Sequence, residues 1–157
     1  MKKVYRTGAF AIIIDNYSNF LLVQKNDYKK NEWTFVGGGR EEGETVKQNI
    51  YREINEELSL NEKDLQLLGI SEAKIKYDYP TELVPTIHQG KYVGQIQDQC
   101  LFRFTGDKRK IHLLEEELKD KIWVHSTKLE EYLIFPNQFE KHSTAIEEIL
   151  RLNSSNQ

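Results

Sequence analysis

GGGREEGETVKQNIYREINEELSL, residues 37–60, decides how this chain is read. Three glycines lead into a segment whose apolar residues Val46, Ile50, Ile54 and Leu58 recur every four positions. At about 100° per residue these form one stripe, which predicts a helix from about Thr45 to Leu58 with the stripe facing the core. Glu53 and Glu57, one turn apart, flank that stripe, and Glu56 stands a little further round. At the rim of a buried surface water screens charge poorly. Two carboxylates about 4 Å apart at an effective dielectric of about 20 repel by roughly 4 kcal/mol. No lysine lies four residues from Glu57. Arg52 is adjacent to Glu53 but points about 100° away and cannot serve all three glutamates. A divalent cation would offset the repulsion. All-oxygen donors select hard ions, so Mg²⁺ is expected, with Mn²⁺ as its substitute. A solvated acidic face is the alternative, and the helix by itself leaves both readings open.

The glycines do not make a phosphate loop. Gly38 and Gly43 have the spacing of that motif, but Glu44 stands where its phosphate-binding lysine belongs. The dinucleotide-binding fingerprint also fails, because Gly37 and Gly39 are followed by Glu42 at the third glycine position. Without the helix, the glycines read as a tight turn that needs positive φ.

The rest of the chain fits around this segment. With 157 residues it suits one domain, expected over 1–152, with 153–157 as a short polar tail. Charged residues make up 30% and apolar residues 38%, a globular balance. The net charge of −3 provides no global field for nucleic acid, so a polyanionic ligand needs a local basic patch or metal ions. The single cysteine, Cys100, excludes an internal disulfide and fits a reducing compartment. No apolar run approaches a membrane span, and the start MKKVYRTGAF lacks the apolar core of a signal peptide. The expectation is a cytoplasmic protein without membrane association.

Tyr5–Asp15 reads as a buried strand and Phe20–Lys25 as its hairpin return. Trp33–Val36 is expected as a short strand before the glycines, and Leu65–Tyr79 and Tyr92–Thr105 as two long strands around a loop over 80–91. Lys121–His125 is a further strand. Ser126–Leu133 is a short helix with Ser126 as N-cap, and Phe139–Leu152 a terminal amphipathic helix. Strands outnumber helices, which predicts an α/β fold with a mixed sheet sandwiched between helices.

The spacing carries a resemblance. Gly38, five residues, Glu44, seven residues, then Arg52-Glu53-Ile54-Asn55-Glu56-Glu57-Leu58-Ser59-Leu60 resembles the Nudix box, with Ser59 in place of its final glycine. Glycine suits the left-handed residue that ends a helix, so the serine affects stability and no ligand. Val36 stands where a proline often precedes the glycines. Four outer stretches are similar to one branch of that family, the RNA 5′-pyrophosphohydrolases and their dinucleoside polyphosphate hydrolase relatives. They are Tyr5-Arg6, Ile75 to Pro80 (IKYDYP), Gly94 to Gln99 (GQIQDQ) and Glu117 to Val124 (ELKDKIWV).

The resemblance implies a Nudix-type α/β/α sandwich and a Mg²⁺-dependent hydrolase. Glu53, Glu56 and Glu57 would hold the metal, with a backbone carbonyl of Gly37 or Gly38. Arg52 and Glu44 would pair and brace the loop. Glu117 would reach the metal cluster from a loop, Glu116 being the fallback, and Glu117, Glu57 or Glu53 would act as general base. Arg6, Lys25, Tyr77, Phe139 and Lys141 would contact the substrate. For Phe139, packing in the helix core is the competing reading. The expected reaction is removal of pyrophosphate from triphosphorylated RNA 5′ ends. Cleavage of diadenosine tetraphosphate or of free nucleoside triphosphates is the alternative within the enzyme class, and a catalytically silent ligand-sensing module the alternative outside it. Lys108, Arg109 and Lys110 read as a solvated hairpin tip or as a guide for an RNA tail. The four histidines show no ligand spacing and are assigned no chemistry.

Overall fold

The computed structural model describes residues 3–155. Its strands are β1 (Tyr5–Ile14), β2 (Asn19–Lys25), β3 (Val36–Gly39), β4 (Leu65–Ile70), β5 (Ile75–Asp78), β6 (Gly94–Phe104) and β7 (Leu118–His125); its helices are α1 (Val46–Leu58), α2 (Leu129–Tyr132) and α3 (Gln138–Ser155). The sheet runs β4-β6-β1-β2-β7, with β3 paired to β1 and β5 to β6. β1 and β6 are parallel over Tyr5–Ile14 and Gly94–Arg103, and the other pairings are antiparallel.

Alternation along β1 divides the core. Ala9, Ala11 and Ile13 face one cluster with Ile50, Ile54 and Leu58 of α1. Ile12 and Ile14 face the other, with Leu129, Ile146 and Ile149 of α2 and α3. The mixed sheet is therefore enclosed by helices on both faces, as expected. Among the described residues no helix is long and apolar enough to cross a membrane.

α1 starts and stops as its sequence dictates. Thr45 caps it: Gln48 N donates to Thr45 Oγ1 (3.2 Å) and Thr45 N donates to Gln48 Oε1 (2.9 Å). Ser59 ends it in the left-handed region, at φ 62°.

Several expectations are corrected. The glycines form a strand, not a turn. None of Gly37, Gly38 and Gly39 has positive φ, which is confined among glycines to Gly43 and Gly90. They are glycines because neighbours come too close for a Cβ. One on Gly37 would strike the Ala9 carbonyl, one on Gly38 the Glu53 carboxylate, and one on Gly39 the Arg6 guanidinium. The strand expected over Trp33–Val36 shrinks to a bridge between Thr34 and Val23.

The long strand expected over Leu65–Tyr79 breaks at Ser71. There Glu148 of α3 accepts from Ser71 Oγ and Glu72 N (both 3.0 Å), turning the chain before β5. The 80–91 loop is largely a 3₁₀ segment, Thr81–Gly90, ending in left-handed His88, Gln89 and Gly90. His125, not Ser126, caps the turn before α2. α3 continues past Leu152, because Asn153 Nδ2 donates to Leu68 O (2.9 Å) and Ile149 O (2.8 Å). Of the expected polar tail, residues 156 and 157 lie outside the described residues.

Candidate active site

α1 and β3 together build an acidic cleft. The helix stripe points Glu53 and Glu57 toward the sheet, leaving them 9% and 4% exposed, while Glu56 stays at the rim. Arg52 organises this group further than its helical angle predicts. Its Nε and Nη2 form a two-pronged contact with Glu44 (2.7 and 2.9 Å), and Nη2 also donates to Gly39 O (2.8 Å). Nη1 donates to Glu53 Oε1 (2.9 Å) and Glu56 Oε2 (3.2 Å). The Arg52 contact pulls Glu44 below the ordinary carboxylate range. Arg52 thus serves two of the three helix glutamates and braces the loop, while among the described residues Glu57 has no ion pair and only the more distant charge of Lys25 acts on it.

Glu57 pairs instead with another carboxyl. The chain after β6 is tied to the end of α1, with His112 N donating to Leu58 O and Leu114 N to Glu57 O (both 3.0 Å). This brings Glu117 up to Glu57 in the lining of one cleft. Burial first, then the bond to Glu117 and the charge of Glu53, push Glu57 up to about 9. Glu53 is also raised by burial, against the pull of Arg52. Two such neighbouring carboxyls at neutral pH favour a proton or a bound cation.

Among the described residues, no three His, Cys, Asp or Glu side chains converge at metal-binding separation. The reason is visible in the contacts: Glu53 and Glu56 lean on Arg52, and Glu57 on Glu117. The donor set nevertheless fits a hard dication. It is all oxygen, and it holds more negative charge than Arg52 cancels. The missing Cβ of Gly38 leaves the space that the Glu53 carboxylate occupies beside the β3 backbone.

The β1–β3 register also separates the two glycine carbonyls. Arg40 N donates to Thr7 O, which makes Ala9 and Gly38 a hydrogen-bonded pair and turns the Gly37 and Gly39 carbonyls away from β1. Gly39 O is taken by Arg52 and by Asn49 Nδ2 (3.1 Å). Gly37, rather than Gly38, therefore presents the available carbonyl.

The cleft has a volume of about 490 Å³ and is lined by Arg6, Lys25, Gly37–Gly39, Glu53, Glu57, His88, Glu116 and Glu117. A second cavity of about 540 Å³ shares Arg6, Lys25 and the three glycines with it, so the two adjoin. Tyr77 and Lys141 line this second cavity. Phe139 does not. Gln138 and Lys141, three apart, face the cavity, while Phe139, Ser143, Ile146 and Leu150 line an apolar groove elsewhere. Helical phase sets Phe139, partly buried, against the core, and Phe135, edge-to-face with Tyr28 at 5.3 Å, lines the larger cavity. The basic run is consumed structurally: Lys108 bonds Asp15 (2.6 Å) and covers Trp123, Arg109 pairs with Asp107, and Lys110 lies 3.8 Å from Asp64.

Two site histidines escaped the sequence reading, which searched only for ligand spacing. His88 Nε2 accepts from Arg6 Nη1 (3.2 Å), because arginine only donates. Burial and the Arg6 charge hold His88 below its usual value. His142, 2% exposed, lies between Phe10 and Phe35 in the wall of the larger cavity. The alternation of Gln95, Gln97 and Gln99 in one strand was the available signal that β6 presents a polar face here.

A NUDIX domain model matches residues 4–145. The chain belongs to the Nudix family. This Nudix chain is 29% identical over 118 residues to the RNA pyrophosphohydrolase of Pelagibacter ubique, covering 75% of this chain and 73% of that protein. It is 31% identical over 109 residues to the RNA pyrophosphohydrolase of Vibrio atlanticus, covering 69% of this chain and 62% of that one, so it spans less than two thirds of the latter's length. The Nudix fold is shared with the E. coli dihydroneopterin triphosphate pyrophosphohydrolase at a TM-score of 0.70 and 19% identity, over 95% of this chain and 99% of that chain.

Proposed function

We propose that this protein is a divalent-metal-dependent phosphoanhydride hydrolase that removes pyrophosphate from triphosphorylated RNA 5′ ends. The observation carrying this reading is the Glu57–Glu117 carboxyl pair in a cleft that opens, past a cationic Arg6 and Lys25, into a cavity of nucleotide size. The names of the two sequence relatives favour RNA over a free nucleotide.

In this reading Glu53, Glu56, Glu57 and Glu117, with the Gly37 carbonyl, would hold Mg²⁺ or Mn²⁺. When bound, such an ion supplies charge neutralisation for the phosphates and acidifies a water molecule. Arg52 holds Glu53 and Glu44 in place while the ligand set closes. Arg6 and Lys25 bind phosphate oxygens, and His88 keeps the Arg6 guanidinium over Gly39. Glu117, on a loop and exposed, takes the proton of the attacking water. The water oxygen bonds to phosphorus, the P–O bond to the departing group breaks, and pyrophosphate leaves.

The test offers triphosphorylated RNA, diadenosine tetraphosphate and free nucleoside triphosphates side by side with Mg²⁺ or Mn²⁺. Preferential conversion of the RNA end is expected. Turnover of the small molecules with RNA untouched would replace the RNA reading, and absence of both turnover and metal binding would leave a silent sensing module.

A further inference from the structure

The 540 Å³ cavity contains a buried imidazole whose hydrogen-bonding sense is fixed by a chain of contacts. Gln99 Nε2 donates to Ala73 O (2.8 Å) and Lys141 O (3.2 Å). Both acceptors are backbone carbonyls, so the Gln99 amide cannot flip without setting its oxygen against two others. Gln99 Oε1 therefore faces His142 Nδ1 at 2.8 Å, and Nδ1 must carry the hydrogen that bridges them. A neutral imidazole protonated at Nδ1 has only a lone pair at Nε2. Burial and the Lys141 charge keep the ring neutral, holding it down to about 3.

Among the described residues that lone pair has no hydrogen-bonding protein partner. Among the described residues the sealed, unpartnered side-chain atoms are Arg40 Nε, Asn49 Oδ1 and Tyr79 OH. His142 Nε2 is not one of them, so it opens to the cavity that the residue lines. The neighbouring Gln97 is 6% exposed, lines the same cavity, and its amide is likewise neither sealed nor bonded. Phe10 and Phe35, edge-to-face at 5.0 and 4.8 Å, fix the plane of the ring. The cations Arg6, Lys25 and Lys141 line the same cavity, so an anionic phosphate and a polar, uncharged edge are accommodated together.

We propose that His142 is a specificity-determining residue, an obligate acceptor set by Gln99 that reads an N–H donor on the base of the bound nucleotide. Gln97 supplies the adjustable donor and acceptor beside it. Gln99 touches no ligand and is the positioning residue. This rests on the reading of the site as a nucleotide polyphosphate site.

The probes are AMP, GMP, CMP and UMP, together with inorganic tripolyphosphate, added to metal-free full-length protein. Nitrogen NMR of labelled histidine is expected to show His142 protonated at Nδ1, with the Nε2 resonance moving on binding of at least one nucleotide and not on binding of tripolyphosphate. His142→Phe, which keeps the ring packing, is expected to weaken that nucleotide about five- to tenfold, the worth of one hydrogen bond, while leaving tripolyphosphate affinity unchanged. Gln99→Leu is expected to release the tautomer and weaken the same nucleotide.

A ring found protonated at Nε2, equal nucleotide affinity in His142→Phe, or failure of all four nucleotides to bind would each overturn the proposal. Failure of the hydrolase reading looks different. Nucleotides would still move the His142 signal, while no phosphoanhydride would be cleaved after metal is added.

Discussion

Replacing Glu57 with glutamine should stabilise the metal-free protein and remove its response to metal. Glu57 is 4% exposed and pushed up from its ordinary 4.5 to about 9 by burial, by Glu117 and by Glu53. A carboxyl raised on folding contributes its full share of stability below 4.5 and loses it as pH rises toward 9. At pH 7 the interval from 4.5 is 2.5 units, or about 3 kcal/mol, taken up in keeping a group protonated that the unfolded chain leaves ionised. Glutamine has the same shape, bears no charge and can donate to Glu117. Glu57→Gln should therefore raise Tm at pH 7 by roughly 5–10 °C for a domain of this size and change it little at pH 4. Parent protein should gain Tm on adding Mg²⁺ by mass action, and the variant should lose most of that gain and orders of magnitude of turnover. Thermal denaturation at both pH values, with and without Mg²⁺, reads all of this. A variant less stable than parent at pH 7, or one that keeps the full Mg²⁺ response, would refute the assignment of Glu57 as an uncompensated buried acid.

Gly38→Ala should place a methyl group against the Glu53 carboxylate; because that is the end of a flexible side chain, the fold survives while calorimetric Mg²⁺ affinity and turnover drop at least tenfold. Ser59→Gly should raise stability by about 1 kcal/mol by relieving φ 62° at the end of α1, measured as a Tm increase of a few degrees with unchanged turnover. Asp15 is pushed up by burial, but Lys108, Asn19 and the Tyr17 amide outweigh that and pull it down to about 2, so its contribution is present above 3.8 and lost as pH falls toward 2. Asp15→Asn should therefore cost about 2 kcal/mol in urea melts at pH 7 and almost nothing at pH 2.

The helix and its acids were legible because their signals are local. The stripe of Val46, Ile50, Ile54 and Leu58 fixes which side of α1 faces the sheet, and the orientation of Glu53 and Glu57 follows from it. Thr45 and Gln48 set the start of the same helix through contacts three residues apart. The glycines alone leave their use open, because glycine has two uses, positive φ and close approach, and only the partners distinguish them. Those partners, Arg6 against Gly39 and Ala9 against Gly37, come from β1, nearly thirty residues or more away in sequence. For Phe139 the choice between cavity and core rests on phase: one position in the start of α3 decides it. The break at Ser71 depends on Glu148, which no reading of 65–79 contains.

The same contrast explains the electrostatics of the site. Repulsion among Glu53, Glu56 and Glu57 implies a cation, and the fold supplies one kind locally and leaves room for another. Arg52 cannot lose its charge, so in the metal-free protein it bridges Glu44, Glu53 and Glu56 and fixes the loop to the helix. Burial and the neighbouring Glu117 favour the protonated form of Glu57, and a dication can displace that proton. Arranging the acids into one arginine-bound set and one pair that favours a proton lets the fold stand without metal while keeping the exchangeable charge at the wall facing the cavity. The sequence displays the arginine half as a motif, because Arg52 and its glutamate partners lie within thirteen residues, Glu44 to Glu56. The other half requires Glu117, sixty residues from Glu57, and becomes visible only when the backbone of 112–114 is tied to the end of α1.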